Sequence, residues 1–71
     1  MSDTIFLTTL GKRIKKIREE KKINQITLAS RCNFEKASMS RIESGKGNPT
    51  VLTLRKICKA LDVPMHDLFK D

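Results

Sequence analysis

The stretch NQITLASRCNFEKASMSRIE, residues 24–43, decides the fold, because it holds two short helical patterns joined by only a few residues. Read at a helical period of about 3.6 residues, each pattern has one apolar face. The apolar positions of the two patterns are Leu28, Ala29 and Cys32, then Met39 and Ile42. Between them, Asn33 tolerates the left-handed backbone that a tight turn requires. The stretch therefore predicts two short helices connected by a tight turn, which is a helix-turn-helix.

Helical periodicity also runs through the rest of the chain. Leu7, Leu10, Ile14 and Ile17 recur at helical spacing before this stretch, and another apolar stripe follows Thr50. The predicted helices cover about residues 4–21, 25–32, 36–44 and 51–61, with a short fifth helix that begins at Pro64. No alternation typical of strands and no hairpin turn interrupts them. We therefore expect an all-α fold: one compact five-helix domain over residues 1–71, with the helix-turn-helix at about 24–44.

The charge of the chain favours a polyanionic partner. Its 15 lysine and arginine residues outnumber its 8 aspartate and glutamate residues, which gives a net charge of +7 over 71 residues. Such an excess is typical of proteins that bind nucleic acid. Charge alone leaves DNA, RNA and an anionic lipid surface open, and it also fits a solvated basic surface with no partner.

The reactive side chains indicate no reaction centre. Cys32 and Cys58 occupy apolar helical positions, no CxxC motif occurs, and His66 stands alone. We therefore expect two buried thiols in a reduced cytosol, with no metal site and no cofactor. No nucleophile–base pair or carboxylate dyad is visible, so we do not expect an enzyme. The apolar runs are far shorter than the roughly 18 residues of a membrane span, and no signal peptide is visible, so we expect a soluble, cytoplasmic protein.

Five motifs in fixed order connect the chain to a known family. They are LGKRIKKIREEK, the NQ and LA pairs at residues 24–29, SRIESGKGNP, LRKICKALDV and DLF. Together they cover about residues 10–69, and in this order they resemble the phage-repressor/Cro-like helix-turn-helix family, also called the Xre family. The resemblance implies a lambda-repressor-like fold. It also implies a sequence-specific transcriptional regulator of the repressor or controller type, which binds double-stranded DNA.

The third predicted helix has an outward face suited to the major groove. On a helical wheel, Met39, Ile42 and Glu43 share one arc, and the apolar pair must face the core. The opposite arc supplies the expected base contacts, which are Lys36, Ala37, Ser38, Ser40 and Arg41. A lysine or arginine can donate to guanine O6 and N7, and an alanine methyl can contact a thymine methyl; either serine would also suit a phosphate. Glu35 stands where the family usually has a serine or threonine cap, which predicts a weaker start of this helix.

A second set of polar residues is expected at the DNA backbone. Gln25 begins the second predicted helix, where backbone N–H groups and the helix dipole favour an anion. The resemblance implies that this glutamine braces a phosphate and can steady the recognition helix. Asn24 combines capping with a phosphate contact in this hypothesis, and Lys46 and Asn48 reach the backbone from the loop after the third helix. These contacts set register and orientation.

One charged pair is assigned to the fold. Glu43 lies on the buried arc of the third helix, where an unpaired carboxylate would be costly. Arg18 flanks the apolar stripe of the first helix and is its natural partner. The resemblance implies a structural salt bridge between the two.

A single recognition helix reads only a few base pairs, so we expect a homodimer on a palindromic operator. The expected dimer interface consists of Val63, Met65, Leu68 and Phe69. The alternative is that these residues only close the monomer core, and Phe6 and Leu7 fit either role. The sequence leaves open a toxin or a polymerase as a further partner, and a protein-binding adaptor with the same fold. An RNA-binding role lacks the exposed aromatic residues that stack on unpaired bases.

Overall fold

The computed structural model describes residues 2–70 and contains α-helices without any strand in that range. Its elements are α1 (Asp3–Glu20), α2 (Gln25–Arg31), α3 (Lys36–Ser44), α4 (Val51–Leu61) and a C-terminal 3₁₀ turn (Met65–Leu68). The all-α fold is confirmed, but the prediction of a fifth α-helix is wrong. The segment after Pro64 is held by hydrogen bonds between residues three apart. The amide of Asp67 donates to the carbonyl of Pro64, and the amide of Phe69 donates to the carbonyl of His66. So short a segment cannot offset the cost of nucleating an α-helix.

Side-chain caps fix where three of the four helices begin. Ser2 Oγ accepts from the amide of Ile5 at the start of α1, and Asn24 Oδ1 accepts from the amide of Thr27 at 2.8 Å at the start of α2. Thr50 Oγ1 caps α4 in the same way. Helix α3 has no side-chain cap, because Glu35 makes no capping hydrogen bond. The amide N–H groups in the first turn of α3 therefore have no acceptor on the side chain of the N-cap residue.

Residues in left-handed conformations form the turn between α2 and α3 and the turn after α3. Asn33 has a φ of 59° and ends α2, and the next amide, that of Phe34, donates to the carbonyl of Ala29 at 2.8 Å. Gly45 has a φ of 81° after α3, and a Cβ there would lie 2.6 Å from the Cα of Thr8. This position needs glycine for two reasons, the backbone conformation and the close approach of α1.

The core lies between α1, the helix-turn-helix and α4. Its buried apolar residues are Leu10, Ile14, Leu28, Ala29, Cys32, Met39, Ile42, Leu54, Ile57, Cys58, Leu61 and Leu68. Gly11 lets α1 approach the backbone of α3, since a Cβ on it would lie 2.5 Å from two carbonyl oxygens of that helix. The 3₁₀ turn is tied to α1, because Arg13 donates to the carbonyl of Leu68 at 3.3 Å. Between residues 2 and 70, no helix has the length and apolar character needed to cross a bilayer.

Candidate nucleic-acid interface

Helix α3 separates a buried face from an outward one. Met39, Ile42 and Glu43 are buried, and the anchoring of these three fixes the rotation of the helix about its axis. The residues expected to contact bases are all exposed, namely Lys36, Ala37, Ser38, Ser40 and Arg41. The structure therefore brings these five side chains onto one surface that neither the core nor a neighbouring helix covers.

The loop after α3 folds back against the end of that helix. The amides of Lys46 and Gly47 both donate to the carbonyl of Arg41, at 2.9 and 3.2 Å. In return, one Nη of Arg41 donates to the carbonyl of Lys46 at 3.3 Å. The guanidinium therefore lies along the loop and keeps further N–H groups for another acceptor, since an arginine carries five. As a result, Arg41 and Lys46 form one cationic edge at the C-terminal end of α3.

A shallow depression on the same side joins α3 to the start of α4. Ser38, Arg41, Asn48, Thr50 and Thr53 supply its polar lining, and its apolar lining comes from Phe34, Ile42, Gly47 and Pro49. Neither Thr50 nor Thr53 was among the residues expected at the DNA surface. Both threonines lie beside residues of the expected DNA surface. The signal that identifies Thr50 is its position directly after the GKGNP loop, and Thr53 lies three residues further along the chain.

Asn24 and Gln25, the two residues at the start of α2, differ in how they are held. Asn24 is exposed, and its side chain bonds locally, to the amide of Thr27. Gln25 is half-buried, and its Nε2 donates to Oε1 of Glu43 at 3.1 Å, which links the first residue of α2 to the last turn of α3. Glu43, expected only in an ion pair, is therefore also the acceptor through which Gln25 contacts α3.

The ion pair expected between Arg18 and Glu43 is present and buried. Nε and one Nη of Arg18 donate to the two carboxylate oxygens of Glu43 at 2.7 and 3.0 Å, and the side chains are only 9% and 3% exposed. The hydrogen bond to Glu43 raises the pKa of Arg18, although burial acts in the opposite direction. The remaining Nη donates to the carbonyl of Ile23 at 2.9 Å, in the segment that leads into α2. The pair therefore connects α1, the approach to α2 and the end of α3.

The residues expected at a dimer interface divide into two groups. Leu68 is fully buried in the monomer core, so its inclusion in the interface is wrong. It is buried because the 3₁₀ turn points this side chain inward to close the core between α1 and α4. Val63 and Met65 are half-buried, and Phe69 is 48% exposed. Phe69 stacks on Phe6 of α1, with ring centroids 6.4 Å apart.

The two thiols lie inside the protein. Cys32 and Cys58 are free and buried, and Cys58 Sγ lies 3.8 Å from the sulfur of Met65. Burial raises the pKa of both thiols, so the uncharged form is favoured. Among the residues that the structure describes, no group of histidine, cysteine and carboxylate side chains is arranged to hold a metal ion.

Comparisons with known proteins agree with this geometry. The profile of a family described as helix-turn-helix matches residues 14–68. The immunity repressor protein of Bacillus phage phi105 is 38% identical over 55 residues, which cover 78% of this chain and 38% of that protein. The control protein C.MunI of Mycoplasma sp is 34% identical over 62 residues, which cover 86% of this chain and 84% of that protein. The chain thus spans well under half of the phage repressor and most of the control protein.

Solved structures give the same result at the level of the fold. The restriction-modification controller protein C.AhdI from Aeromonas hydrophila superposes with a TM-score of 0.89 at 28% identity, covering 92% of this chain and 98% of that one. The wild-type controller protein C.Esp1396I superposes with a TM-score of 0.81 at 36% identity, covering 89% and 82%. This chain therefore belongs to the helix-turn-helix family of transcriptional regulators that its motifs indicated.

Proposed function

We propose that the protein is a sequence-specific regulator of transcription that binds double-stranded DNA as a homodimer. The observation that carries the proposal is the outward arc of α3, where all five residues from Lys36 to Arg41 other than the buried Met39 are exposed. A helix presented in this way fits the major groove of B-DNA. The net charge of +7 supplies the matching electrostatic attraction. Relatives named as an immunity repressor and as a control protein support the repressor or controller class.

The groove-facing residues divide the work of recognition. Lys36, Ala37 and Arg41 are the main base contacts in this proposal, because a cation donates to guanine O6 and N7 and a methyl group packs on thymine. Ser38 and Ser40 contact either a base edge or a phosphate. The cationic edge formed by Arg41 and Lys46 favours a phosphate beside the last bases that α3 reads.

The backbone contacts frame this helix on both sides. Asn24 and Gln25 lie at the N-terminus of α2, where the unpaired amides of the first turn attract a phosphate. Lys46 and Asn48 lie on the loop beyond α3 and are exposed. A phosphate on each side of the groove would fix the register of α3, which is the role of contacts that read no sequence.

The dimer surface in this proposal is the apolar patch around the two stacked rings. Phe6 and Phe69 are each 48% exposed, and Ile5 beside them on α1 is 56% exposed. Val63 and Met65 add partly covered apolar surface nearby in sequence. Exposed aromatic side chains of this kind are typical interface anchors. Two copies related by a two-fold axis would read half-sites about 34 Å apart, so the operator would be palindromic. A regulator that binds genomic DNA in this way would act in the cytoplasm.

Binding to selected DNA tests the proposal. Duplexes that bind the protein are selected from a random pool, and affinities are then measured for the selected and for a scrambled duplex. Affinity for the selected duplex should fall by roughly 10³–10⁵ between about 50 and 200 mM salt if the dimer makes about 6–10 phosphate contacts. Lys36→Ala and Arg41→Ala should each weaken it by roughly 5- to 150-fold and relax preference at one position.

Lys15→Ala is the matched control, because it removes one exposed positive charge from α1 and leaves every residue of α3 unchanged. It should change the affinity far less than Lys36→Ala does. Equal losses for Lys15→Ala and Lys36→Ala, or equal affinity for selected and scrambled duplexes, would overturn the proposal in favour of unspecific attraction by net charge.

A further inference from the structure

A shallow basic depression lies between the end of α2 and the second half of α4. It has a volume of about 390 Å³ and is lined by Arg31, Cys32, Asn33, Lys56, Lys59 and Ala60. We propose that it is a docking site for an acidic segment of another protein. The basic depression shares no lining residue with the depression beside α3, so the proposal adds a protein partner to the expected DNA surface.

The positive charges of the basic depression are not neutralised by the chain itself. Arg31, Lys56 and Lys59 are exposed, and no carboxylate is among the described residues that line the site. Within residues 2–70, none of the three cations forms an ion pair. Asp62 borders a neighbouring depression together with Lys59, but the two are not paired either. The site therefore offers three cations to an external anion.

Another depression, beside α1, shows that this charge imbalance is specific to the α2–α4 face. It is also lined by three cations, Arg13, Lys16 and Lys70, but Glu20 and Asp67 lie among them. Nζ of Lys70 is 3.1 Å from Oδ1 of Asp67. A chain with a net charge of +7 thus balances the charges of one depression and leaves those of the other unbalanced.

Two of the three cations are held in place by the fold. Nζ of Lys56 lies 5.9 Å from the centroid of the Phe34 ring, within the range of a cation–π contact. One Nη of Arg31 donates to the carbonyl of Ala60 at 3.4 Å, which leaves other N–H groups of the guanidinium for a ligand. Burial raises the pKa of the Cys32 thiol and the charge of Lys56 opposes that rise, as expected for an ammonium near the floor of the depression. Positions restricted in this way lower the entropy cost of binding.

The exposure of the cations favours a peptide chain over a free anion. An exposed ion pair strengthens binding by only about 1.5- to 5-fold, so one carboxylate on one cation would bind weakly. A segment with several carboxylates can pair with all three cations, and the second and third pairs then form within one complex. Arg31 suits this partner, because a planar guanidinium can bond both oxygens of a carboxylate.

The position of the site separates it from the expected path of DNA. The phosphates of a duplex are expected at Asn24 and Gln25, at the opposite end of α2 from Arg31. Phe34 lines the depression beside α3 while its ring faces Lys56, so it lies between the two surfaces. An acidic segment and a duplex would therefore occupy different faces of the protein.

NMR spectra of the isotopically labelled protein test the site directly. The probe is a capped peptide of alternating glutamate and alanine residues, and the matched control peptide has glutamine in place of each glutamate. Salt at about 150 mM limits the Debye length to about 8 Å, which screens attraction by distant charges. The acidic peptide should shift the amide signals of residues 31–34 and 56–60 most, and the glutamine peptide should shift none.

A pair of double variants separates the site from the net charge. Arg31→Gln with Lys59→Gln removes two charges from the basic depression, and Lys15→Gln with Lys16→Gln removes two exposed charges from α1. The first variant should bind the acidic peptide roughly 2- to 25-fold more weakly, the effect of two exposed ion pairs. The α1 variant should bind it like the wild type, and both should bind the selected duplex with equal affinity.

Three results would overturn the inference. They are the absence of any shift with the acidic peptide, equal losses of peptide affinity in the two double variants, and a loss of duplex affinity that is larger for Arg31→Gln with Lys59→Gln than for the α1 variant. The third result would assign the basic depression to the DNA backbone and leave the proposed function intact. A wild-type protein without preference for any duplex would overturn the proposed function alone, since the peptide measurements contain no DNA.

Discussion

Removal of the Glu43 carboxylate is the strongest test of how this fold is held together. In Glu43→Ala, the guanidinium of Arg18 loses both hydrogen bonds to the carboxylate and keeps only its bond to the carbonyl of Ile23. Since the side chain of Arg18 is 9% exposed, water can replace the lost acceptors only if the surrounding helices move apart. Breaking one partner of a buried pair in this way costs about 3–5 kcal/mol.

The size of this loss matters because small domains have little stability in reserve. A chain of 71 residues is expected to have a free energy of unfolding of roughly 4–11 kcal/mol. Glu43→Ala should therefore remove a large part of it. Lys36→Ala, which truncates an exposed side chain of α3, should change it by no more than about 0.5 kcal/mol.

Urea unfolding followed by far-ultraviolet circular dichroism measures both variants, since the chain has no tryptophan or tyrosine for fluorescence. With a slope of about 1 kcal/mol per molar urea, the midpoint of Glu43→Ala should fall by about 3 M or more. The control is a double variant, Arg18→Met with Glu43→Leu, which replaces the buried pair by apolar side chains. Such a replacement is often neutral or stabilising, so its urea midpoint should stay near that of the wild type. If the unfolding free energies of Glu43→Ala and Lys36→Ala differ by less than about 1 kcal/mol, the Arg18–Glu43 ion pair stabilises the protein no more than an exposed salt bridge does. That result would refute the reasoning.

Two further predictions concern the packing of α1 and the buried thiols. Gly11→Ala should destabilise the protein by about 1–3 kcal/mol in thermal melts, although alanine favours helices, because its methyl group would lie 2.5 Å from backbone oxygens of α3. Gly47→Ala is the control, since its methyl group would meet no atom closer than 3.6 Å. Equal melting temperatures for the two variants would contradict the steric reason. Because burial raises the pKa of Cys32 and Cys58 above the ordinary 9.0, the stability that their protonated forms provide is complete below pH 9.0 and is lost as the pH rises through the raised values. The unfolding free energy of a variant with alanine at both positions should decline less above pH 9.0, and an identical decline would exclude the thiols as the cause.

Local signals predicted most of the fold. Caps such as Asn24 and Thr50 act on amides three residues away, so the sequence determines where α2 and α4 begin. The apolar spacing in α3 and α4 determines which faces are buried, and both helices have the predicted bounds. The left-handed Asn33 also follows from local chemistry. Where a feature depends on neighbours within one turn of helix, its residues are sufficient to predict it.

The end of the chain shows where local signals fail. Met65, Leu68 and Phe69 have the spacing of an α-helix, which predicted a fifth helix with an apolar outer face. The segment is one 3₁₀ turn, and Leu68 is fully buried. Periodicity identifies a face but not what covers it, and here α1 and α4 already surround that face. Phe69 remains partly outside the core and stacks on Phe6, a contact between residues far apart in sequence that periodicity does not predict.

The acceptor that Gln25 contacts on α3 was missed for a different reason. The resemblance implied that Gln25 can steady the recognition helix, but Glu43 was already explained as half of an ion pair and was not identified as the acceptor. The two are 18 positions apart on different helices, and their contact depends on the angle at which α2 and α3 cross. A residue buried for stability therefore lies one hydrogen bond away from a residue expected at the DNA backbone, and periodicity within a single helix does not predict such a contact.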